Sequence, residues 1–112
     1  MREVEIELDK PRKLRFGIAD IQEFSKFMGD RTIAEMISRA STIDAWFIVA
    51  GLFYGLRHED GKISYRKCQQ LVDDYIQAEK GTYLDLTTSL VEALNAATGF
   101  SKNGAKQEEG DG

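Results

Sequence analysis

His58 is the only histidine of this 112-residue chain and Cys68 its only cysteine. Glu59 and Asp60 follow His58, and the run Asp60-Gly61-Lys62-Ile63-Ser64 completes the polar stretch. An imidazole beside carboxylates can act as a general base when a partner positions it and a pocket encloses it. No Ser-His-Asp or Cys-His constellation, CxxC pair, HExxH run or phosphate-binding glycine loop accompanies it. A hydrolase built on His58 with Asp60 would lack its second half. The same loop has the middle of a calcium site. With Gly61 at the sixth position of an EF-hand loop, Ile63 falls on the hydrophobic eighth. Leu56, His58 and Lys67 then take the first, third and twelfth positions, so a hydrocarbon and a cation occupy the two ends. Asp60 and Ser64 alone do not hold calcium. The stretch reads as a helix-to-helix turn in an exposed loop, with Gly61 at positive φ. Cys68 lies on the apolar face of a helix and reads as a small hydrophobe. No catalytic residue, cofactor or metal site follows from these side chains, and the expected protein is not an enzyme.

The remaining candidates are aromatic. Residues 45–56 read AWFIVAGLFYGL, without a charge. A helix apolar all round is a central one, covered on several sides. It is too short for a bilayer, which needs about 20 apolar residues. Ser41 and Thr42 are suitable N-caps, and Asp44 suits the positive end of the helix dipole. Trp46, Phe47, Phe53 and Tyr54 are not confined to one face. Either all are core, or part of them forms an exposed apolar patch of the kind that marks a protein interface. All four are therefore candidate partner-binding residues. A buried Trp46 would cost about 3–5 kcal/mol on truncation to alanine. Gly51 and Gly55, four apart, mark places where another helix or a hairpin comes close.

The flanking elements must cover this helix. Residues 3–9 alternate, with Val4, Ile6 and Leu8 on one face and Glu3, Glu5, Glu7 and Asp9 on the other. Residues 13–16 alternate too, with Lys10-Pro11-Arg12 as the turn between. Pairing Leu8 with Leu14, Ile6 with Phe16, Glu7 with Arg15 and Asp9 with Lys13 gives an apolar face and a face of paired charge. A lone hairpin is marginal and must lie on something. Ile18, Ile21, Phe24, Phe27 and Met28 form the inward face of the next helix, which Gly29 ends. Thr32 and Glu35 have capping-box spacing for a short helix carrying Ile33, Met36 and Ile37. After the central helix, Ser64 caps a helix with Cys68, Leu71, Val72, Tyr75 and Ile76 inward, ended by Gly81. Thr82 with Asp85 caps the last helix, which turns Leu86, Leu90, Val91, Leu94 and Ala97 inward. Gly99 ends it, and Phe100 folds back after the cap.

The expected fold is mainly α: about five helices packed around a central apolar helix, with an N-terminal β-hairpin, over residues 1–100. Residues 101–112 lack apolar anchors beyond Ala105 and read as a disordered tail. A net charge of −4 and a pI near 5.0 argue against a nucleic-acid partner, which calls for a basic patch. One cysteine excludes an internal disulfide and suits a reducing interior. The charged N-terminus does not resemble a signal peptide.

The order of features resembles the small tail assembly chaperones of long-tailed bacteriophages and gene transfer agents. Leu14-Arg15-Phe16, Gly29, Gly55-Leu56-Arg57-His58-Glu59 and Ile63-Ser64 carry the resemblance, with Leu71 and Ile76 in the following helix. It extends over residues 3–97, and the Asp60-Gly61-Lys62 loop is longer than in the family. The resemblance implies a non-enzymatic protein of the host bacterial cytoplasm. Its partners would be the tape measure protein and the tail tube protein, with self-association, and no nucleic acid or membrane. It also implies a second, longer product made by ribosomal frameshifting. Ser101-Lys102-Asn103 can be encoded by a run of adenines ending in a cytosine, on which ribosomes slip. A small regulatory protein that uses the same patch to bind one partner is the alternative.

Overall fold

The computed structural model describes residues 3–99. Phe100 and the tail from residue 101 lie outside the described residues. A two-stranded antiparallel hairpin, β1 (Val4–Glu7) and β2 (Pro11–Leu14), precedes five helices: α1 (Ile18–Phe27), α2 (Ile33–Ala40), α3 (Ala45–Leu56), α4 (Tyr65–Gln77) and α5 (Tyr83–Thr98). No helix is long and apolar enough to cross a membrane among these residues.

The hairpin pairs in a different register from the one expected. Val4 faces Leu14, Glu5 faces Lys13, Ile6 faces Arg12 and Glu7 faces Pro11. The turn is Leu8–Lys10, and Pro11 opens β2 on an edge, where its missing N–H costs little. The shift is by an even number of residues, so the inward face survives: Ile6, Leu8 and Leu14 are all buried. What sets the register is Arg12. It is 4% exposed on the apolar face, and its guanidinium forks onto Asp9, with Nε–Oδ1 at 2.7 Å and Nη2–Oδ2 at 2.9 Å. Asp60 on the α3–α4 loop adds a charge contact at 3.7 Å. The Arg12 hydrogen bond holds the Asp9 carboxyl at about 2. Phe16, freed from the hairpin, stacks on Phe24 of α1 at 5.9 Å.

α3 is central. It packs against β2 and all four other helices, and Phe47, Ile48, Ala50, Gly51, Leu52, Gly55 and Leu56 are buried along it. Its two interior glycines are where neighbours come nearest. A methyl on Gly51 would stand 2.9 Å from Leu90 of α5, and one on Gly55 3.0 Å from Leu14 and 3.1 Å from Phe16. The carbonyl of Gly55 accepts from the amide of Arg15 at 2.9 Å.

The helix ends follow local chemistry. Thr32 and Glu35 exchange the two bonds of a capping box, Thr82 and Asp85 do the same, and Ser64 accepts from the amide of Lys67. The cap of α3 is Asp44, not Ser41 or Thr42. Those hydroxyls donate back to the carbonyls of Ser38 and Arg39 and close α2 instead. Gly29 and Gly99 are left-handed, at φ 90° and 79°. Gly61 and Gly81 are not. Glu79, at φ 57°, turns the chain after α4. Gly81 is needed because a side chain there would collide with the Tyr75 hydroxyl and the Asp85 carboxylate.

Candidate partner-binding surface

α3 leaves one stripe uncovered. Ala45 and Trp46 are exposed and Val49, Phe53, Tyr54 and Arg57 are half-buried, whereas every residue from Gly51 to Leu52 and from Gly55 to Leu56 is buried. The stripe begins at the cap. Asp44 Oδ1 accepts from the amide of Trp46 at 2.9 Å, and Oδ2 from Arg39 Nε at 2.8 Å. Burial alone would raise the Asp44 carboxyl. The Arg39 and backbone bonds outweigh it and hold the group below its ordinary value. The first turn of α3 is thus pinned, and it presents the Trp46 indole, 63% exposed, outward.

Around that indole an aromatic surface assembles from three helices. Phe27, the last residue of α1 and 42% exposed, lies 6.1 Å from Trp46, 6.4 Å from Tyr54 and 5.6 Å from Tyr65 of α4, between ring centres. Phe53 meets Tyr54 edge to face at 5.0 Å. The Arg57 guanidinium lies over Tyr54 at 5.0 Å and bridges to Asp20 at 2.7 Å and Glu23 at 3.1 Å. A cleft of about 410 Å³ between Phe27, Met28, Arg39 and Trp46 opens on one side of Phe27. A second, of about 320 Å³, is lined by Phe27 together with Glu23, Lys26 and Tyr54. Burial, first of all, raises the phenols of Tyr54 and Tyr65 above their ordinary value, so both stay neutral donors at pH 7.

The four aromatics of α3 therefore divide. Trp46, Phe53 and Tyr54 reach the surface. Phe47 is 0% exposed, 5.6 Å from Phe24, and cannot touch a partner in this structure. The sequence reading missed Phe27 and Tyr65 as surface residues. The spacing puts Phe27 inward with Met28, yet the buried stripe of α1 runs through Ile21, Phe24 and Met28, and Phe27 lies about 100° round the helix from Met28, at the margin of that stripe. Met28 faces the core, at 9% exposure. Ile18, also placed inward, is 73% exposed at the first position of α1.

The polar candidates are occupied by the fold. His58 is half-buried, not exposed, and its Nε2–H donates to the carbonyl of Lys13 at 2.8 Å. Glu59 Oε1 accepts from the amide of Lys13 at 3.2 Å. Together they clasp the α3–α4 loop onto β2. Asp60 faces the Arg12 guanidinium and the amide of Lys62. A polar cleft of about 480 Å³ beside them is lined by Lys10, Pro11, Arg12, Glu59 and Asp60. Cys68 is fully buried, and desolvation pushes its thiol up to about 12. Among the described residues no three His, Cys, Asp or Glu side chains gather as a metal set. Comparison of the chain with protein-family models, curated proteins and solved structures gives no match.

Proposed function

We propose that the protein is a non-enzymatic assembly chaperone that holds an apolar helix of its partner against the aromatic surface of α1, α3 and α4. The observation that carries this reading is the aromatic cluster of α1, α3 and α4 in which Phe27 and Trp46 are exposed and Tyr54 and Tyr65 half-buried. Large aromatics left in water beside clefts are the anchors from which protein interfaces gain most of their energy. A helix laid into a groove presents side chains every three to four residues, and two clefts that share Phe27 in their walls offer it places to seat them. The partner follows from the resemblance over residues 3–97: the tape measure protein of a phage tail, kept soluble in the host bacterial cytoplasm while the tail tube protein polymerises around it. The order hairpin, glycine-ended helix, apolar helix, polar loop and Ser-capped helix supports that reading.

Co-expression with the tape measure protein tests it. The wild-type chain is expected to keep the tape measure soluble and to co-purify with it. Trp46→Ala with Phe27→Ala should lose both effects while circular dichroism stays native. A tape measure equally soluble with the doubly substituted chain, or without any chaperone, would overturn the proposal.

A further inference from the structure

We infer that the outer edge of β1 takes up an extended segment of a partner in which lysine or arginine alternates with apolar residues. In an antiparallel pair, residues whose N–H and C=O point at the other strand alternate with residues whose groups point away. On β2 the outward set is Lys13, with Arg15 just beyond the strand. The amide of Lys13 donates to Glu59 Oε1 at 3.2 Å, its carbonyl accepts from His58, and the amide of Arg15 donates to the carbonyl of Gly55. The α3–α4 loop and the end of α3 thus cover that edge. Pro11 falls in the same set, where no N–H is called for. Opposite Lys13 and Pro11 stand Glu5 and Glu7, so their amides and carbonyls point away from β2 as well. Among the described residues no other backbone group bonds to them. The hairpin is therefore covered on one edge and open on the other. An open edge is a template for another strand, because it offers a row of unpaired N–H and C=O groups.

The side chains select the strand. Glu3, Glu5 and Glu7 are exposed on one face of β1. The Lys13 ammonium, across the ladder from Glu5, lies 3.9 Å from Glu3 instead. Glu5 and Glu7 have no ion-pair partner among the described residues. On the other face Val4 is half-buried and Ile6 buried. A strand repeats every two residues, so an added one sets alternate side chains beside Glu5 and Glu7 and the rest beside Val4 and Ile6. Cations suit the first row and hydrocarbons the second. A second copy does not fit. β1 against β1 would set glutamate against glutamate, and like charges directly opposite one another are unfavourable. β1 packs on α5, so this edge is separate from the aromatic surface of α1, α3 and α4 and does not rest on the chaperone reading.

The full 112-residue chain, labelled with nitrogen-15, is titrated with a capped hexapeptide of alternating lysine and valine while amide shifts and hydrogen exchange are followed. Before peptide is added, the amides of Glu5 and Glu7 are expected to exchange faster than those of Ile6 and Arg12, which face each other within the hairpin. With peptide the two glutamate amides should slow by about tenfold or more, and the largest shifts should fall on residues 3–7. The emission of Trp46, the only tryptophan of the chain, should not move. A peptide of alternating glutamate and valine should not bind, nor should the lysine peptide when its amides on the bonding side are N-methylated. Glu5→Lys with Glu7→Lys should reverse the preference between the two unmethylated peptides. Glu5→Gln with Glu7→Gln serves if the lysine variant does not fold, and should weaken binding of the lysine peptide. No binding of that peptide at millimolar concentration overturns the inference. So do Glu5 and Glu7 amides already protected in the free chain, since the edge is then covered by the chain itself or by a second copy. Binding of the N-methylated peptide overturns it too, as charge attraction alone, and so do shifts centred on the aromatic surface. None of these readings involves the tape measure protein, so failure here is distinct from failure of the chaperone reading.

Discussion

Ile43 stands at φ 55° immediately before the cap of α3. A β-branched side chain in the left-handed region costs about 1–2 kcal/mol. Ile43 is 46% exposed, so its packing offsets only part of this cost. Ile43→Gly is therefore expected to hold or raise the melting temperature, and a fall of several degrees would show that packing dominates. Three residues on, Trp46 and Phe47 make opposite contributions. Trp46→Ala should leave the melting temperature nearly unchanged because the indole is in water, whereas Phe47→Ala should cost about 3–5 kcal/mol. The sequence alone could not separate these two neighbours. α3 is apolar on every face, and periodicity reads only a helix with a polar side to contrast against. The thiol is a simpler case. Burial keeps Cys68 protonated at pH 7, so a thiol reagent should react only as fast as the protein unfolds. Immediate reaction in native buffer would contradict its burial.

At the scale of elements, the hairpin shows how one side chain decides a register. The capping boxes of Thr32 with Glu35 and Thr82 with Asp85, the close approaches at Gly51 and Gly55 and the inward faces of α4 and α5 are legible, because each rests on local spacing; the cap of α3 and the residue that turns the chain after α4 are not. Nor is the register, because charge pairing across strands favours one alignment while a buried Arg12 with its own counter-ion fixes another. Alternation treats every arginine as a surface residue. Asp9→Ala leaves the Arg12 guanidinium buried with only the more distant Asp60, and is expected to cost about 2–3 kcal/mol. Arg12→Met replaces the cation by a hydrocarbon of similar length beside carboxylates that can turn to water, and should cost less. Urea denaturation of both variants decides the order. The same pair sets an acid response. Asp9 is depressed in the folded state from 3.8 to about 2, so its contribution is present above 3.8 and is lost as pH falls through about 2. With the Asp9 carboxyl 38% exposed, that contribution is small, and the loss should be absent in Asp9→Asn. Between α3 and α5, Gly51→Ala gains helix propensity of about 1 kcal/mol but drives a methyl into Leu90. Leu90→Ala makes room for it. A double-mutant cycle should therefore show the double variant more stable than the two single effects sum to.

Across the whole molecule, cohesion is uneven, and α2 is where it is weakest. α1, α4 and α5 each bury large side chains against α3, which touches every other helix. α2 has eight residues and buries only Met36 and Ala40. Left-handed residues bound it on both sides, Gly29 and Asp30 before it and Ile43 after. A cleft lies along each flank: one holds Arg39 and opens toward Phe27 and Trp46, and the other, of about 290 Å³, runs between Ile37 and Ala40 on α2 and Leu84 and Val91 on α5. What ties its end down is the Arg39–Asp44 bridge, with the guanidinium 42% exposed, and such partly exposed pairs contribute about 1 kcal/mol or less. Segments with few buried contacts open before the rest of a fold. Native-state hydrogen exchange is thus expected to show the amides of residues 33–40 exchanging through a local opening, at a free energy below that of global unfolding. The amides of Ile48–Leu52 in α3 should exchange only when the whole domain unfolds. Arg39→Ala should lower the opening free energy of α2 and leave that of α3 nearly unchanged. Equal denaturant dependence for α2 and α3 would mean that the domain opens as one unit, with the two flanking clefts as rigid features of its surface. A lower opening energy for α2 makes it the element that can yield when a helix enters beside Trp46, since the cleft at Arg39 widens without loss from the Phe16–Phe24–Phe47 core.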